Sequence, residues 1–409
     1  MRFDGRMQFD RRQFVALLAA TPAAGAGRQV WLYIGAYTNE RNRGISAARL
    51  DLDTGAITDM FLAAETPNPT FLEIHPNGQW LYAVNEIGNY EGRREGSITA
   101  YRIDRQTGRL ELLNRVSTKG PGPCHVNLDR TGRMAMIANY GGGSVASYRI
   151  GSDGHLSEAV SFFQHEGKSV NPKRQEAPHA HSVNPAPDNR FAVVCDLGTD
   201  EIVIYAIDPA AGSMARHGAV KLAPGSGPRH FAFHPNDRFG YSVNELLSTV
   251  TAFEYRAGAL KEIHTVPTLP PGFSGPNTTA EIRVHPNGRW LYASNRGEDS
   301  IAFFTIDAKS GRITRVENTP TQGVMPRNFY IEPSGRWLLA ANQRSDNVAV
   351  FEIDAKTGRL LAARQGITVG QPVCLRTVGQ ANRAGLAGPA GLEPATTGFE
   401  GKSVNTFPR

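Results

Sequence analysis

The sequence is poor in cysteine and in clustered charge, and each shortage excludes a class of protein. Its 409 residues include three cysteines, Cys124, Cys195 and Cys374, and no C-x-x-C motif. An odd count without that spacing excludes a disulfide framework and a zinc ribbon, so we expect buried free thiols. The 44 Lys and Arg residues outnumber 38 Asp and Glu residues, giving a formal net charge of +6. They are scattered singly, which argues against a nucleic-acid partner.

Long apolar runs are also missing, because the most apolar stretch, Val15 to Gly27, is too short to span a bilayer. Stable membrane insertion is therefore not expected. This stretch follows Asp10-Arg11-Arg12-Gln13-Phe14, and the arginine pair with Phe two places on resembles a twin-arginine export signal. We predict that residues 1–29 are such a signal or a disordered tail. The protein would then be periplasmic or secreted, with a cytoplasmic location as the alternative.

The sequence is rich in turn-forming residues, with 43 glycines and 26 prolines. A short sequence motif also recurs about every fifty residues. In the first copy, a turn at Pro76-Asn77-Gly78 leads seven residues later to an anchor, Asn85. The same step leads to the anchors of five further copies, Asn139, Asp196, Asn244, Asn295 and Asn342. Strand-length apolar runs with this period are typical of the four-stranded blades of a β-propeller.

A second hairpin follows each anchor, and its copies set the number of blades. Seven copies begin near Gly44, Ser97, Ser144, Glu201, Thr249, Ser300 and Asn347. The first hairpin has only six intact copies, so the seventh must be split between the orphan strands Val30–Gly35 and Gln371–Arg376. Pairing these strands closes the ring and removes its open edges. We predict an all-β, seven-bladed propeller over residues 30–376 and a disordered extension over residues 377–409.

Equivalent positions in the blades should meet at one mouth of the central channel. The inner strand of each blade begins on the same rim as the residue just after the anchor. Twelve residues are predicted there: Thr70, Cys124, His181, Arg229, Ala280 and Arg327 from the inner strands, and Glu86, Tyr140, Leu197, Glu245, Arg296 and Gln343 after the anchors. The ionisable members, with three arginines against two glutamates, favour an anionic small-molecule substrate.

Structural roles compete with functional ones for several of these residues. Arg229 and Glu245 belong to one blade and could form only a structural ion pair. His179 and His181 lie two apart on a predicted strand and should face the same way, but the spacing shows no third metal ligand, so no metal is predicted. The anchor asparagines are expected to bond neighbouring blades. The glycine-rich segment Asn139–Gly143 lacks the helix of a phosphate-binding loop and is predicted to be a tight strand connection.

Four segments resemble the lactonase family of seven-bladed propellers, which includes propeller-type 6-phosphogluconolactonases and fungal carboxy-muconate lactonizing enzymes. They are Pro-His-Ala-His at 178–181, Gly-Pro-Arg-His at 227–230, Asn-Glu at 244–245 and Met-Pro-Arg-Asn-Phe at 325–329. The resemblance implies a site made of His181, Arg229 and Glu245, with Arg296 or Arg327 as a second arginine. The substrate-binding residues would be Arg296, Arg327, Glu86 and His179.

The leading hypothesis is hydrolysis of an anionic sugar lactone by a monomer, without cofactor or metal. Glu245 or His181 would take a proton from water, and Arg229 would stabilise the oxyanion. The alternatives are a muconate-type lactonizing cycloisomerase and a non-catalytic binding scaffold. The scaffold predicts a large exposed apolar patch on one rim.

Overall fold

A computed structural model describes residues 28–379 and shows that this part of the chain consists of strands and connections, without helices. The strands are, in chain order, β1 Gln29–Ala36, β2 Gly44–Asp51, β3 Ile57–Glu65, β4 Phe71–Ile74, β5 Trp80–Asn85, β6 Ser97–Ile103, β7 Leu110–Ser117, β8 Pro123–Leu128, β9 Met134–Asn139, β10 Ser144–Arg149, β11 Ser161–Gln164, β12 Ala180–Pro185, β13 Phe191–Asp196, β14 Glu201–Asp208, β15 Ser213–Lys221, β16 Pro228–Phe233, β17 Phe239–Asn244, β18 Thr249–Arg256, β19 Ala259–Pro267, β20 Thr278–Val284, β21 Trp290–Arg296, β22 Ser300–Ile306, β23 Ile313–Pro320, β24 Pro326–Ile331, β25 Trp337–Asn342, β26 Asn347–Glu352, β27 Arg364–Thr368 and β28 Pro372–Gly379. No helix of this part is long and apolar enough to cross a membrane.

The strands form seven four-stranded sheets, which confirms the predicted propeller. Blades 1 to 6 are consecutive sets of four strands: β4–β7, β8–β11, β12–β15, β16–β19, β20–β23 and β24–β27. Blade 7 has the order β28-β1-β2-β3. The first strands of neighbouring blades contact each other all the way round, including β24 with β28 and β28 with β4. These seven strands therefore surround the central channel.

The closing pair joins the two ends of the described chain, as predicted, but it is longer than the sequence suggested. In blade 7, β1 pairs antiparallel with β28, with Tyr33 opposite Arg376 and Val30 opposite Gly379. Residues 377–379, assigned above to the extension, thus belong to the ring, because they continue the ladder and pair with Leu32, Trp31 and Val30 of β1. The predicted export signal and the remainder of the extension fall on residues 1–27 and 380–409, outside the described residues.

Six of the seven pairs of neighbouring blades are joined by an aromatic side chain that packs on a glycine of the next blade's outer hairpin. The aromatic residue lies at or near the start of the second strand of its blade, and the glycine occupies a turn at positive φ, where a Cβ would meet the ring. The pairs are Trp31 with Gly108, Trp80 with Gly154, Phe191 with Gly258, Phe239 with Gly311, Trp290 with Gly358, and Trp337 with Gly55. The exception is the junction between blades 2 and 3, where β9 begins with Met134 and a Cβ on Gly212 would meet Arg149. The six aromatic contacts each bury a large apolar surface, the main favourable contribution to folding.

The anchor side chains mostly bond the connection that arrives from the preceding blade, as predicted. Asn85 donates through Nδ2 to the carbonyl of Pro67 at 2.7 Å, and Asn342 does the same to Thr321 at 3.0 Å. Asp196 instead accepts from His165 across the same kind of junction, at 2.6 Å. Asn244 departs from the prediction, since its Nδ2 donates to Thr249 and Thr251 of its own blade. The segment Asn139–Gly143 is a tight connection from β9 to β10, as predicted.

All three cysteines are free and buried, which confirms the sequence-based expectation. Cys124 and Cys374 lie on inner strands, and Cys195 lies on β13. Burial raises the pKa of the Cys195 thiol to about 12, so it stays a neutral, apolar-like side chain.

A glycine substitution tests the contact between blades. In Gly358→Ala, the new Cβ would lie 2.4 Å from the Trp290 ring at a φ of +78°. We expect the free energy of unfolding to fall by about 2–4 kcal/mol, through backbone strain and overpacking. Urea unfolding followed by tryptophan fluorescence measures the loss. Gly88→Ala is the control, because its Cβ would meet nothing within 4 Å. Equal effects of the two variants would contradict the proposed role of the contact.

Candidate functional site

The inner strands turn one side chain each into the channel by means of a repeated β-bulge. The pairing of β12 with β13 skips His181, that of β16 with β17 skips Arg229, and that of β24 with β25 skips Arg327. The same irregularity occurs at Cys124 in β8 and at Val373 in β28. A bulged residue leaves the ladder and has its side chain re-aimed. This is why the positions predicted from spacing converge.

The re-aimed side chains enclose a small cavity on the channel axis. It measures about 10 Å³ and is lined by Thr70, Phe71, Glu86, Cys124, His181, Arg229, His230, Arg327 and Val373. That volume is about what one water molecule requires. A sugar-sized ligand must therefore bind on the solvent side of this cavity, with one reacting group facing into it.

Beside the cavity, one buried carboxylate accepts hydrogen bonds from three arginines. Glu245 is 2 % exposed. Its Oε2 lies 2.9 Å from Nε of Arg229 and 2.8 Å from Nη2 of Arg296, and its Oε1 lies 2.6 Å from Nη2 of Arg174. Arg229 and Glu245 do form the ion pair considered above. They are nevertheless part of a larger cluster that borders the cavity, so the structural and functional interpretations are compatible.

The charges of this cluster determine its protonation. Burial by itself would raise the pKa of Glu245, but Arg296, Arg229 and Arg174 outweigh burial and hold that pKa far below its ordinary range. Burial, together with Arg296 and Arg327, lowers the pKa of Arg229 to about 9, so its guanidinium stays charged at neutral pH. The cluster is therefore a fixed array of charges and not a titrating group.

Arg229 is held on several sides and keeps one nitrogen free. Its Nε donates to Glu245, and its Nη1 donates to the carbonyl of Ala280 at 2.7 Å and to Nε2 of His230 at 3.2 Å. Nη2 makes no hydrogen bond to residues 28–379. A guanidinium fixed in this way is a pre-oriented donor toward any oxygen that enters the cavity.

A belt of hydrogen bonds continues from Arg229 across four blades. Because Nε2 of His230 accepts from Arg229, its Nδ1 carries the proton and donates to Oε1 of Glu281 at 3.1 Å. Asn328 donates to the other oxygen of Glu281, and its own Oδ1 accepts from the backbone N–H of Leu375 in β28 at 3.2 Å. Burial, despite Glu281, lowers the pKa of His230 to about 4. His230 is thus a neutral member of the belt.

His181 is a neutral imidazole in the wall of the cavity. It is 4 % exposed, its Nδ1 lies 3.7 Å from Sγ of Cys124, and its ring packs edge-to-face on Tyr140 and on His230. Burial, Arg229, His230 and Arg327 all lower the pKa of His181 well below the ordinary value. The imidazole is therefore unprotonated at neutral pH and able to accept a proton.

Glu86 and Arg327 meet through a tyrosine on the other side of the cavity. Tyr37 donates from its hydroxyl to Oε1 of Glu86 at 2.8 Å and accepts from Nη2 of Arg327 at 3.3 Å. Arg327 also lies over the Tyr37 ring, 5.7 Å from its centroid. These contacts hold both charged side chains at the cavity wall.

Not every predicted rim residue reaches the cavity. His179 lies just before β12 and stacks on Tyr140 with 4.5 Å between ring centroids. Its Nδ1 is 3.0 Å from the carbonyl of Tyr140, and its Nε2 is 3.5 Å from Glu176. It therefore supports Tyr140 from outside the cavity. Six of the twelve residues predicted at the mouth also do not line the cavity itself: Ala280, Tyr140, Leu197, Glu245, Arg296 and Gln343. Within the described part of the chain, no three His, Cys, Asp or Glu residues are grouped to hold a metal ion.

Two side chains of the candidate site were not predicted from the sequence. Tyr37 directly follows β1, the second strand of the split blade, so it occupies the position of Glu86 and Glu245, and the same count applied to blade 7 would have found it. Arg174 lies in the long connection between β11 and β12. No repeat position marks it, and no sequence signal could have shown it.

A larger cavity, about 540 Å³, opens where the turns between first and second strands lie, at the opposite end of the channel. Its main charged groups are paired: Arg376 lies 3.0 Å from Glu73, and Arg283 lies 3.4 Å from Glu281. The mouth with the small cavity instead brings Arg174, Arg229, Arg296 and Arg327 together with only two glutamates, Glu86 and Glu245. Because of this surplus of positive charge, we take this mouth as the candidate site.

Comparisons with known proteins agree with this architecture. The family model described as "Lactonase, 7-bladed beta-propeller" matches residues 31–377. A protein of Bacillus subtilis named 6-phosphogluconolactonase is 36% identical over 302 residues, which are 73% of this chain and 84% of that protein. A 6-phosphogluconolactonase of Formosa agariphila is 33% identical over 74% of this chain and 86% of its own. The solved structure of the periplasmic gluconolactonase of Pseudomonas aeruginosa has a TM-score of 0.82 and 34% identity, covering 86% of this chain and all of that one.

Removing the shared carboxylate should destabilise the mouth. In Glu245→Gln, three guanidiniums lose their counter-charge, and two of them are buried. We expect the free energy of unfolding at pH 7 to fall by about 3–5 kcal/mol, measured by urea unfolding. Because the folded-state pKa of Glu245 lies below its unfolded value of about 4.3, the difference between wild type and variant should shrink as the pH falls below about 5.

Glu352→Gln is the matched control, since Glu352 also pairs with two arginines, Arg336 at 3.0 Å and Arg364 at 2.9 Å, but near the surface. Its loss should be under about 1 kcal/mol. If the free energy of unfolding fell as much in the control, burial would not make the ion pairs of Glu245 more stabilising than those of Glu352.

Proposed function

The chain belongs to the lactonase family of seven-bladed β-propellers, and from that membership and the geometry of the mouth we propose that it hydrolyses a sugar lactone. The observation that carries the proposal is the water-sized cavity walled by an unprotonated histidine, His181, and a charged arginine, Arg229. Hydrolysis of an ester bond needs these two groups, one to activate water and one to stabilise the oxyanion.

In the proposed reaction, His181 takes a proton from a water molecule as the water oxygen attacks the lactone carbonyl carbon. The carbonyl oxygen becomes an oxyanion, and the free Nη2 of Arg229 donates to it. Collapse of the tetrahedral intermediate re-forms the carbonyl and breaks the ring C–O bond. The proton held by His181 then passes to the alkoxide that leaves, which gives the open hydroxy acid and restores the neutral imidazole.

We assign the base to His181 and not to Glu245, the other residue considered above. Both oxygens of Glu245 accept hydrogen bonds from arginine, and its pKa is depressed by the three guanidiniums. Glu245 also does not line the cavity, whereas His181 does, so position separates the two candidates. Its role in the proposal is electrostatic: Glu245 fixes Arg229 in place and allows several like charges to gather at one mouth.

The arginines of the rim divide into different roles. Arg296 is 8 % exposed, and its Nη2 donates to Glu245 and to the carbonyl of Thr279 at 2.7 Å, so it supports the cluster from behind. Arg327 lines the cavity and, among residues 28–379, hydrogen-bonds through its side chain to Tyr37 alone, which leaves its other N–H groups free to contact substrate oxygens. His179 reaches the site only through Tyr140.

The alternatives have less support. The relatives compared above are named for gluconolactones, which favours lactone hydrolysis over muconate lactonization. A binding scaffold would need a continuous apolar rim. Of the nine exposed large apolar side chains of residues 28–379, Met60, Leu112, Phe162 and Val316 lie on the outermost strands of four different blades, and Val170, Leu247 and Val324 lie in three different connections, so they are spread over the molecule.

We also propose that the protein is exported. The support is the Arg11-Arg12 pair followed by a short apolar run, and the likeness to a protein described as a periplasmic gluconolactonase. Replacing both arginines, Arg11→Lys with Arg12→Lys, should keep the protein in the cytoplasm, because twin-arginine signals are read as a pair. Cell fractionation of an epitope-tagged chain measures this. A wild-type chain found only in the cytoplasm would refute export.

The function is tested by acid release on a pH-stat from 6-phosphogluconolactone and from glucono-1,5-lactone. We expect catalysed opening of at least one lactone, and a loss in kcat of about 10²–10⁴-fold in His181→Gln. His155→Gln is the control, because His155 is exposed in a surface turn. No rate above background on either lactone would refute the proposal.

The pH dependence of the same reaction identifies the base. Since the pKa of His181 is lowered, kcat/KM should stay on its plateau down to the ordinary imidazole value of about 6.5 and fall only at lower pH. An acid limb at or above that value would contradict the assignment of a buried, neutral His181 as the base.

A further inference from the structure

Arg174 differs from the other arginines of the mouth in exposure and in origin. Its side chain is 38% exposed, against 3% for Arg229 and 7% for Arg296. It comes from the connection between β11 and β12 and not from a strand. Of the three guanidiniums on Glu245, it is the one that a ligand approaching from solvent meets first.

The backbone beside Arg174 is anchored, although it lies in a connection. The neighbouring Gln175 is fully buried, and its Nε2 donates to the carbonyl of Leu197 at 2.9 Å and to Oδ1 of Asp200 at 2.7 Å. Ser169 of the same connection donates to Oδ2 of Asp200. The connection therefore presents Arg174 from a fixed position, and only its side chain needs to adjust to a ligand.

The guanidinium of Arg174 is oriented but not saturated. Its Nη2 donates to Oε1 of Glu245 at 2.6 Å and to the hydroxyl of Tyr140 at 3.2 Å. Its Nε and Nη1 make no hydrogen bond to any of residues 28–379. Guanidinium carries five N–H donors, so most of them remain available to an anion. Anions with several oxygens match such a fork of donors.

Glu245 also links this guanidinium to the reacting centre. Its Oε1 holds Arg174, and its Oε2 holds Arg229, which lines the cavity. A lactone whose carbonyl oxygen bonds Arg229 would have its far end near Arg174. One carboxylate thus fixes the distance between a carbonyl-binding arginine and a second, solvent-facing one.

We propose that Arg174 is a specificity-determining residue that binds an anionic substituent at the end of the substrate opposite the lactone carbonyl. This inference rests on the proposed function and adds to it the residue that binds a phosphate or carboxylate at C6 of the sugar lactone. Arg229 acts on the carbonyl of every lactone, whereas Arg174 distinguishes charged from uncharged ones.

The test compares Arg174→Gln with wild type on 6-phosphogluconolactone and on glucono-1,5-lactone. The variant loses a charge-assisted hydrogen bond to the anionic group, which weakens binding of the substrate. We therefore expect KM for the phosphorylated lactone to rise about 10–100-fold. The kcat on both lactones and the KM for the neutral one should change less than about 3-fold, because Arg174 does not touch the reacting atoms. Arg174→Lys, which keeps the charge but loses the fork, should lie between wild type and Arg174→Gln.

Lys173→Gln is the matched control, since Lys173 is the exposed neighbour in the same connection and loses the same charge. It should leave KM for both lactones unchanged, which separates direct contact from general attraction of anions. If Lys173→Gln and Arg174→Gln raise KM equally, or if Arg174→Gln affects both lactones alike, Arg174 is only part of the structural cluster and the inference is wrong.

A binding measurement keeps the inference independent of turnover. Calorimetric titration with 6-phosphogluconate, glucarate and gluconate varies the C6 group from phosphate to carboxylate to hydroxyl. Arg174→Gln should weaken the binding of 6-phosphogluconate alone, or of both 6-phosphogluconate and glucarate. The difference shows whether Arg174 binds only a phosphate or also a carboxylate at C6. The binding of gluconate should not change. Equal effects on all three, or on none, overturn the inference. A wild type that binds these acids selectively but opens no lactone would instead refute the proposed hydrolysis and leave Arg174 supported.

Discussion

The mouth of this propeller depends on a single buried negative charge. Guanidiniums in a low-dielectric environment repel one another and lose their hydration, so several of them gather only around a counter-ion that also satisfies their hydrogen bonds. Glu245 does this for Arg229 and Arg296 inside the protein and for Arg174 at its edge. Because both of its oxygens are engaged by arginine, the carboxylate holds the geometry, and in the proposed mechanism proton transfer falls to the uncharged His181.

The propeller provides that geometry without changing the residues that pack its blades together. The same bulged position of the inner strand carries Cys124 in one blade, His181 in the next and Arg229 in the one after. The packing between blades depends on other residues, such as Trp80 on Gly154 and Trp290 on Gly358. Side chains at the mouth can therefore vary from blade to blade without disturbing the aromatic contacts that hold the ring together. The chemistry of the site and the stability of the fold occupy separate positions of one repeat.

That separation explains what could be predicted from the sequence. Spacing alone located the blades, the split seventh blade and the residues Glu86, His181, Arg229 and Glu245, because a repeat places equivalent positions on one rim. Spacing could not show the β-bulge that aims His181 inward, because the bulge depends on the register of β12 with β13. Nor could it show that Glu245 is shared by three arginines, since two of them come from other parts of the chain. Arg174 could not be predicted because it belongs to a connection that is unique to one blade. The closing strand was predicted too short, because its last residues pair with Val30, Trp31 and Leu32 at the opposite end of the chain and no repeat position marks where that pairing ends.

The belt that runs from Arg229 through His230, Glu281 and Asn328 ends on the backbone of Leu375, in the last strand of the described chain. During synthesis this strand leaves the ribosome after all other strands of the ring. Until it docks beside β1, Asn328 lacks the donor that fixes its amide, and the channel has no seventh wall. Because β28 completes both the ring and this belt, the side chains around the mouth reach their final positions only after β28 has docked beside β1.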